Sequence, residues 1–415
     1  MIYFVNNENK KPIKSWCEHV EPEAMAQASN LANLPFLYKW VVLEPDCHLG
    51  YGMPIGGVIA LENAVIPNAV GVDIGCGMSC FKTSIKSNNI SKQQLRSIIE
   101  EVKKQIPLGM SHHSHSSKQF KENFKYFERI EERITQKQYA RFFNIFGKGK
   151  TKKELNKYFS ESLGTLGGGN HFIEVQTDEE DNIWLMIHSG SRNVGYKVAN
   201  YYHKKALELN KKWHSNISND DLAFLPSDSE EGIHYIKDMN FALKYAEENR
   251  RLIMESFKSS ITKVLGDVEF KDEINIHHNF AALENHYGKN VWVHRKGATS
   301  AKKGQLGIIP GSMGTASYIV KGLGNPESFM SCSHGAGRIM GRKQASISLG
   351  KQECENSMQG IVYDGFQMIK DRKGKEMLDL GEAPMAYKNI DNVIKSESDL
   401  IEPVVRLRPL AVIKG

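Results

Sequence analysis

No Cys-x-x-Cys pair occurs among the six cysteines (Cys17, Cys47, Cys76, Cys80, Cys332, Cys354), and their spacing is not that of a small disulfide framework. A zinc ribbon and a stapled secreted scaffold are set aside. A reduced, cytoplasmic chain with a few functional thiols is expected instead. No run approaches the ~20 apolar residues needed to span a bilayer. The N-terminal MIYFVNNENKKPIKSW carries too short an apolar run for a secretory signal, so no membrane association is expected. No internal repeat is found. Strong charge bias is also missing: a net charge of +6 over 415 residues permits a polyanionic partner without requiring one.

What is present is a 40% hydrophobic chain, long enough for one large core or two ordinary domains. Its 35 glycines crowd into residues 50–57, 71–77, 164–169, 304–314 and 335–341, as in loops that must approach a ligand closely. The most telling stretch is VGVDIGCGMSC, residues 70–80. It places Asp73 and Cys76 three apart in a glycine-punctuated turn. A carboxylate and a thiolate at that spacing reach one metal ion, or two that share the sulfur. A buried cysteine beside a turn aspartate is the plainer alternative. The histidines downstream, His171, His188, His277, His278 and His334, shift the balance toward metal.

In chain order, residues 37–60 read as strand, glycine loop, strand, with Pro45 ending the first strand and Asp46 and His48 at the loop mouth. A second apolar run, AVIPNAV, reads as a strand leading into the Asp73/Cys76 turn. Residues 91–162 form a helical, basic insertion: SKQQLRSIIEEVKKQI has Ser91 as its N-cap. His112, His113 and His115 lie in a serine-rich stretch that reads as a solvated loop. KGKTKKELNK reads as a solvated basic face. HFIEVQ and NIWLMIH flank an acidic turn centred near 179–180 and predict a β-hairpin. Its register makes His171 and His188 cross-strand neighbours, with Cβ atoms about 5 Å apart. Residues 195–265 are helical by periodicity. From 274 the chain returns to short strands and small-residue loops. The last of these, SHGAGR, is expected to open a helix whose first N–H groups, at Gly335 and Gly337, suit phosphate. Arg295, Lys296, Arg338, Arg342 and Lys343 add positive charge.

Asp73, Cys76, His171, His188 and one of His277/His278 offer one or two ligands more than a closed zinc site needs. The surplus fits two ions clamping a phosphoryl group. Oxygen and imidazole donors suit Mn²⁺ and a thiolate leans toward zinc, so donor chemistry leaves the metal open. His334, in a phosphate-type loop beside arginines, is a candidate nucleophile that would hold phosphorus as a phosphoramidate. Asp46 is the candidate to fix its tautomer, and Arg338 to offset developing charge.

PDCHLGYGMPIGG, VGVDIGCG, GTLGGGNHFIEV, HSGSR, HHNF, VHRKGAT, PGSMGTASY, SHGAGR and the terminal IKG resemble, in this order, the motifs of RtcB-type RNA ligases. The resemblance spans roughly residues 40–80 and 160–415. It implies a mixed α+β, RtcB-like fold: one catalytic domain over 1–415, with a β-rich core, the site in glycine-rich loops at strand ends, an insertion at about 91–162 and a helical segment at about 195–265. It implies an enzyme that uses GTP and two Mn²⁺ ions to join RNA 3′-phosphate or 2′,3′-cyclic phosphate ends to 5′-hydroxyl ends, in RNA repair or tRNA splicing. The histidine is guanylylated first, and an accessory activating protein is compatible with the family. Asp73, Cys76, His171, His188 and His278 are then the manganese ligands and His334 the guanylylated residue. Asn170, His171, Phe172, Glu174, His278, Asn279, Pro310, Gly311, Ser312, Met313, Ser317, Gly335, Ala336, Gly337, Tyr387 and Lys414 resemble guanylate contacts. Arg192, Arg295 and Lys296 resemble RNA-facing residues. HSGSRNVG departs from the pattern, with Asn193 where glycine is expected, and residues 100–160 match nothing in the family. A two-metal phosphoesterase acting on RNA ends without a covalent step is the alternative, and a non-catalytic RNA-end-binding module a third reading.

Overall fold

A computed structural model describes residues 1–4, 9–131, 134–147, 151–370 and 376–415. Two sheets carry the fold, with helices packed around them, a mixed α+β architecture. The first has six strands in the spatial order Ile2–Phe4, Ile13–Ser15, Leu37–His48, Ile55–Leu61, Lys289–Lys296 and Asn279–His286. The second has seven: Phe270–His277, Gly77–Lys86, Asn182–Ser189, Phe172–Thr177, Ile401–Lys414, Ser317–Gly322 and Leu306–Ile309. All pairings within the second sheet are antiparallel. The chain passes from one sheet to the other at His278, between strands Phe270–His277 and Asn279–His286. That residue therefore sits at the seam between sheets.

Several sequence expectations need correction. The strand Leu37–His48 does not end at Pro45 but runs through it. Its pairing slips between Leu43 and His48, a bulge that tolerates a residue without an N–H and re-aims Asp46. AVIPNAV is a two-residue strand and then a short helix, Pro67–Val70, because Pro67 suits a first helical turn. The histidine-bearing loop is not simply solvated. His113 is only 8% exposed, with Nε2 3.2 Å from the Gly164 carbonyl, and His115 Nε2 lies 2.5 Å from Glu161 Oε1. Residues 148–150 of the basic segment lie outside the described residues.

The insertion contributes helices Lys92–Gln105, Lys118–Glu131, Gln136–Phe146 and Lys152–Ser162. Ser91 caps the first through a reciprocal capping box with Gln94. Tyr139, Phe142, Phe146 and Phe159 join Tyr245 of the long helix Glu230–Leu265 in one aromatic core. Arg141 grips Asp238 of that helix with two hydrogen bonds of 2.8 and 3.0 Å. No described helix is long and apolar enough to cross a membrane.

Arg295 and Lys296 are not on a face open to RNA. Arg295 is 0% exposed, forked onto Glu284 at 2.7 and 3.1 Å, with further bonds to Ser331 Oγ and the Phe329 carbonyl. Lys296 is buried too, its Nζ donating to the Tyr51 and Asn68 carbonyls, and burial pulls its pKa down to about 7. Truncating Arg295 would take the fork from a buried Glu284 and leave it His286 Nε2 at 3.1 Å and Lys302 Nζ at 4.0 Å. Arg295→Ala is expected to destabilise the chain by about 3–5 kcal/mol in urea unfolding. A change below about 1 kcal/mol would deny the pair this role.

Candidate metal and nucleotide site

Five donor side chains converge where the loop after Pro67–Val70 meets the seam of the sheets. Cys76 N–H closes a turn onto the Asp73 carbonyl at 3.1 Å. Cys76 Sγ lies 3.2 Å from His188 Nε2 and 3.5 Å from His171 Nε2. His188 Nε2 lies 3.4 Å from His278 Nε2, and His171 Nε2 lies 3.5 Å from Asp73 Oδ2. The donors form two triads, Asp73/Cys76/His171 and Cys76/His188/His278, each with all atoms within 4.8 Å, and Cys76 belongs to both.

The protonation pattern fits a cation. His171 Nδ1 donates to the Leu166 carbonyl at 2.9 Å, and His188 Nδ1 to the Asn170 carbonyl at 3.1 Å. With the hydrogens on Nδ1, the Nε2 lone pairs of both rings face Sγ. One Cys76 thiol proton serves a single one of these lone pairs, whereas a positive ion among them serves all. Burial, and then neighbouring imidazoles, hold His188 and His278 well below the usual histidine range, so both rings are neutral. Burial opposes charge on Asp73, yet its bonds with His171, Cys76 and Ser191 hold it down at about 2. Burial and then Asp73 push the Cys76 thiol well up; a divalent ion would reverse this.

The hairpin register differs by one residue from the expected one. His188 pairs with Phe172, not His171, because the turn centres at 180. His171 stands just before the strand Phe172–Thr177 and still brings its ring centroid within 5.2 Å of His188. Of the adjacent pair, His278 joins the cluster. His277 instead contacts the Gly75 carbonyl and Arg250 Nη2, at 3.1 and 3.0 Å.

His334 follows the short strand Ser331–Ser333. Its ring centroid is 4.8 Å from that of His278. Its Nδ1 lies 2.6 Å from Asp46 Oδ2, which also accepts its backbone N–H at 3.1 Å. Asp46 is 0% exposed. Glu397 holds the preceding residue, accepting Ser333 N–H at 2.9 Å and its hydroxyl at 2.5 Å. Lys388 ties the two arms together: Nζ donates to the Pro45 and Cys47 carbonyls at 3.0 and 2.8 Å, and its N–H to the Gly337 carbonyl at 2.9 Å.

The loop is not a helix N-terminus. The next helix, Arg342–Ser348, begins later, and Ala336 N–H is spent on the Pro310 carbonyl. Gly337 has φ +73°, and a Cβ there would collide with the Asp46 carbonyl. Gly337→Ala is expected to cost at least about 1–2 kcal/mol from backbone strain alone. The clash should also displace Asp46 from His334. Thermal unfolding would register the first effect; an unchanged midpoint would contradict it.

A cavity of about 390 Å³ opens beside both features. Asn170, Phe172, His188, His278, Pro310, Gly311, Ser312, Met313, His334, Gly335, Ala336, Gly337, Arg338, Tyr387 and Lys414 all line it. Glu174, Ser317 and Asn279 are not among its lining residues. Gln176 Nε2 donates to Glu174 Oε2 at 2.6 Å and to Ser317 Oγ at 3.2 Å. Burial raises Glu174 to about 7 against the pull of Lys414. Asn279 ties loops together, donating to the Asp73 carbonyl and accepting Gly297 N–H. Arg192 braces the 109 and 165 loops through Gly109 O and Thr165 Oγ1. Arg192 and Asn193 both have positive φ, at 51° and 71°. Asparagine tolerates that region, which explains its standing where glycine was expected.

Sequence reasoning missed Ile55, Val72 and Glu382 in the cavity wall, placed His48 only at the loop mouth and read Arg342 only as added positive charge. None of these has a spacing signal. Glu382 lies in a turn-rich GEAP segment and gains meaning only when distant segments meet around it.

The family model described as tRNA-splicing ligase RtcB matches residues 27–415. The RNA-splicing ligase RtcB of Escherichia coli K12 is 37% identical, covering 100% of both chains. The tRNA-splicing ligase RtcB of Methanococcus maripaludis is 33% identical over 96% of this chain and 92% of its own. That of Pyrobaculum aerophilum is 30% identical over 98% and 95%. With the motifs in order, the two sheets and a family match that reaches the last residue, this chain belongs to the RtcB family.

Proposed function

We propose that the chain is a GTP- and Mn²⁺-dependent RNA ligase, which joins RNA 3′-phosphate or 2′,3′-cyclic phosphate ends to 5′-hydroxyl ends in RNA repair or tRNA splicing. The observation that carries it is the coupling of His334 to Asp46 at 2.6 Å, with the His334 ring against His278 of the two-triad cluster. Asp46 holds the proton on Nδ1, leaving Nε2 as the nucleophile. Nε2 forms the bond to the α-phosphorus of GTP as the bond to the pyrophosphate oxygen breaks. The GMP passes from His334 to the RNA 3′-phosphate. Attack by the 5′-hydroxyl then makes the phosphodiester and releases GMP; a cyclic end is first opened by water. Asp73, Cys76, His171, His188 and His278 would hold two divalent ions, which supply charge neutralisation at the phosphates and hold Cys76 as thiolate. Arg338 and the 335–337 loop flank the transferred phosphate.

The test is a gel assay with one RNA bearing a 2′,3′-cyclic phosphate and one a 5′-hydroxyl. Product that requires both GTP and Mn²⁺ supports the reading. Phosphate release from RNA ends without protein labelling would favour a two-metal phosphoesterase. Binding without turnover would favour an RNA-end-binding module. Removing the last two residues takes away Lys414, whose Nζ lies 3.0 Å from Glu382 in the cavity wall. That truncation is expected to abolish guanylylation while leaving the circular dichroism spectrum unchanged. Normal labelling would remove Lys414 from the site.

A further inference from the structure

Glu382 has no part in the chemistry above, yet it is the carboxylate on which four side chains of the cavity wall converge. Its Oε1 accepts from Arg338 Nη1 at 3.1 Å and Arg342 Nε at 2.7 Å. Its Oε2 accepts from the Tyr387 hydroxyl at 2.6 Å and Lys414 Nζ at 3.0 Å. Four donors fill the acceptor capacity of one carboxylate. The side chain is 13% exposed. Burial opposes its charge, but Lys414, Arg342, Tyr387 and Arg338 hold it down at about 2.

The partners depend on it unequally. Arg338 is also anchored to the Met340 and Gly381 carbonyls. Among the described residues Lys414 otherwise has the Asn170 carbonyl, at 3.5 Å, and the attraction of the buried Glu174 carboxyl, and stands 5.4 Å from the centre of the Phe172 ring. Phe172, Pro310 and Met313 give this part of the cavity apolar walls suited to a flat base. Without the carboxylate, one ammonium and two guanidinium groups would repel one another, and the least anchored, Lys414, would move away.

We infer that Glu382 is a positioning residue that sets base selectivity, by fixing the Lys414 ammonium beside Phe172. This rests on the reading of the cavity as a guanine nucleotide site. An ammonium only donates. Held rigidly there, it favours a base with a carbonyl oxygen at its edge, as guanine has, over one with an amino group, as adenine has. Held loosely, it discriminates far less.

The experiment measures GTP and ATP binding to the full chain by calorimetry, in parent, Glu382→Gln, Glu382→Asp and Lys414→Met proteins and the Glu382→Gln/Lys414→Met double variant. Glu382→Gln is expected to lower the GTP-over-ATP preference at least tenfold, mostly through weaker GTP binding. Glu382→Asp should recover part of it. In the Lys414→Met background, Glu382→Gln should change the preference less than twofold, because the two act through one group. Equal loss of both nucleotides with a lowered melting temperature, full additivity in the double variant, or unchanged preference would each overturn the inference. Should the parent itself not prefer GTP, the guanine reading of the cavity fails and this inference with it. A selective parent with an equally selective Glu382→Gln variant defeats this inference alone.

Discussion

His334→Ala is expected to take up no label from radioactive GTP and to join no RNA, a loss of at least ~10⁴-fold, as for other covalent nucleophiles. His334 is held at both ends. Ser333 is fixed by Glu397, and the ring by Asp46. No other described imidazole in the cavity wall has a buried carboxylate against its Nδ1. His48 Nδ1 faces the Asp46 carbonyl, His188 Nδ1 the Asn170 carbonyl, and His278 Nδ1 has no hydrogen-bond partner among the described residues. Asp46→Asn keeps the shape but hands the ring a group that can donate instead of a carboxylate that only accepts. It should slow labelling by ~10²–10⁴-fold, on the scale of such tautomer-fixing pairs. The bound metal should be unchanged in both variants, since His334 belongs to neither triad. Acid-labile, base-stable label persisting on His334→Ala would assign the nucleophile elsewhere. Retained turnover without any label would move the reaction to the phosphoesterase class.

How much of this was legible beforehand differs by residue. The motif glycines and the residues beside them could be read, because their chemistry is local: Asp73 and Cys76 share one turn. The hairpin that brings His171 to His188 could be read from its alternation. Its register was off by one, because a turn can centre on either of two adjacent positions with the same flanking pattern. Asp46 could be named as a partner for His334, but not the bulge that aims it, since Pro45 looks like a strand end in sequence and becomes a bulge only through its neighbour strand. Arg295 and Lys296 were misread because a basic pair in a strand looks alike whether it faces solvent or an internal Glu284. Glu382, Lys388 and Glu397 were invisible. Each acts by joining segments far apart in the chain, and a lone charged residue carries no periodicity to announce that.

Cys76→Ser is expected to lose joining activity entirely and to bind at most one equivalent of divalent metal, against two expected for the parent. Oxygen replaces sulfur with little change of shape, so the fold has no steric reason to fail. The change is in acidity and softness. A serine hydroxyl does not ionise at neutral pH beside Asp73, whereas a thiol next to divalent cations does. The two triads share only this atom, so a neutral hydroxyl there weakens both at once. The Nε2 atoms of His188 and His278, 3.4 Å apart, would then face each other with less charge between them to offset their repulsion. Metal content by plasma mass spectrometry reads the stoichiometry directly. Thermal unfolding gives a second reading: Mn²⁺ at a hundredfold excess over its Kd should stabilise the parent by about 2.7 kcal/mol. The same concentration should stabilise Cys76→Ser far less. Full two-metal occupancy in the variant would mean that the sulfur is not the shared ligand. The cluster would then be two separate sites that happen to touch.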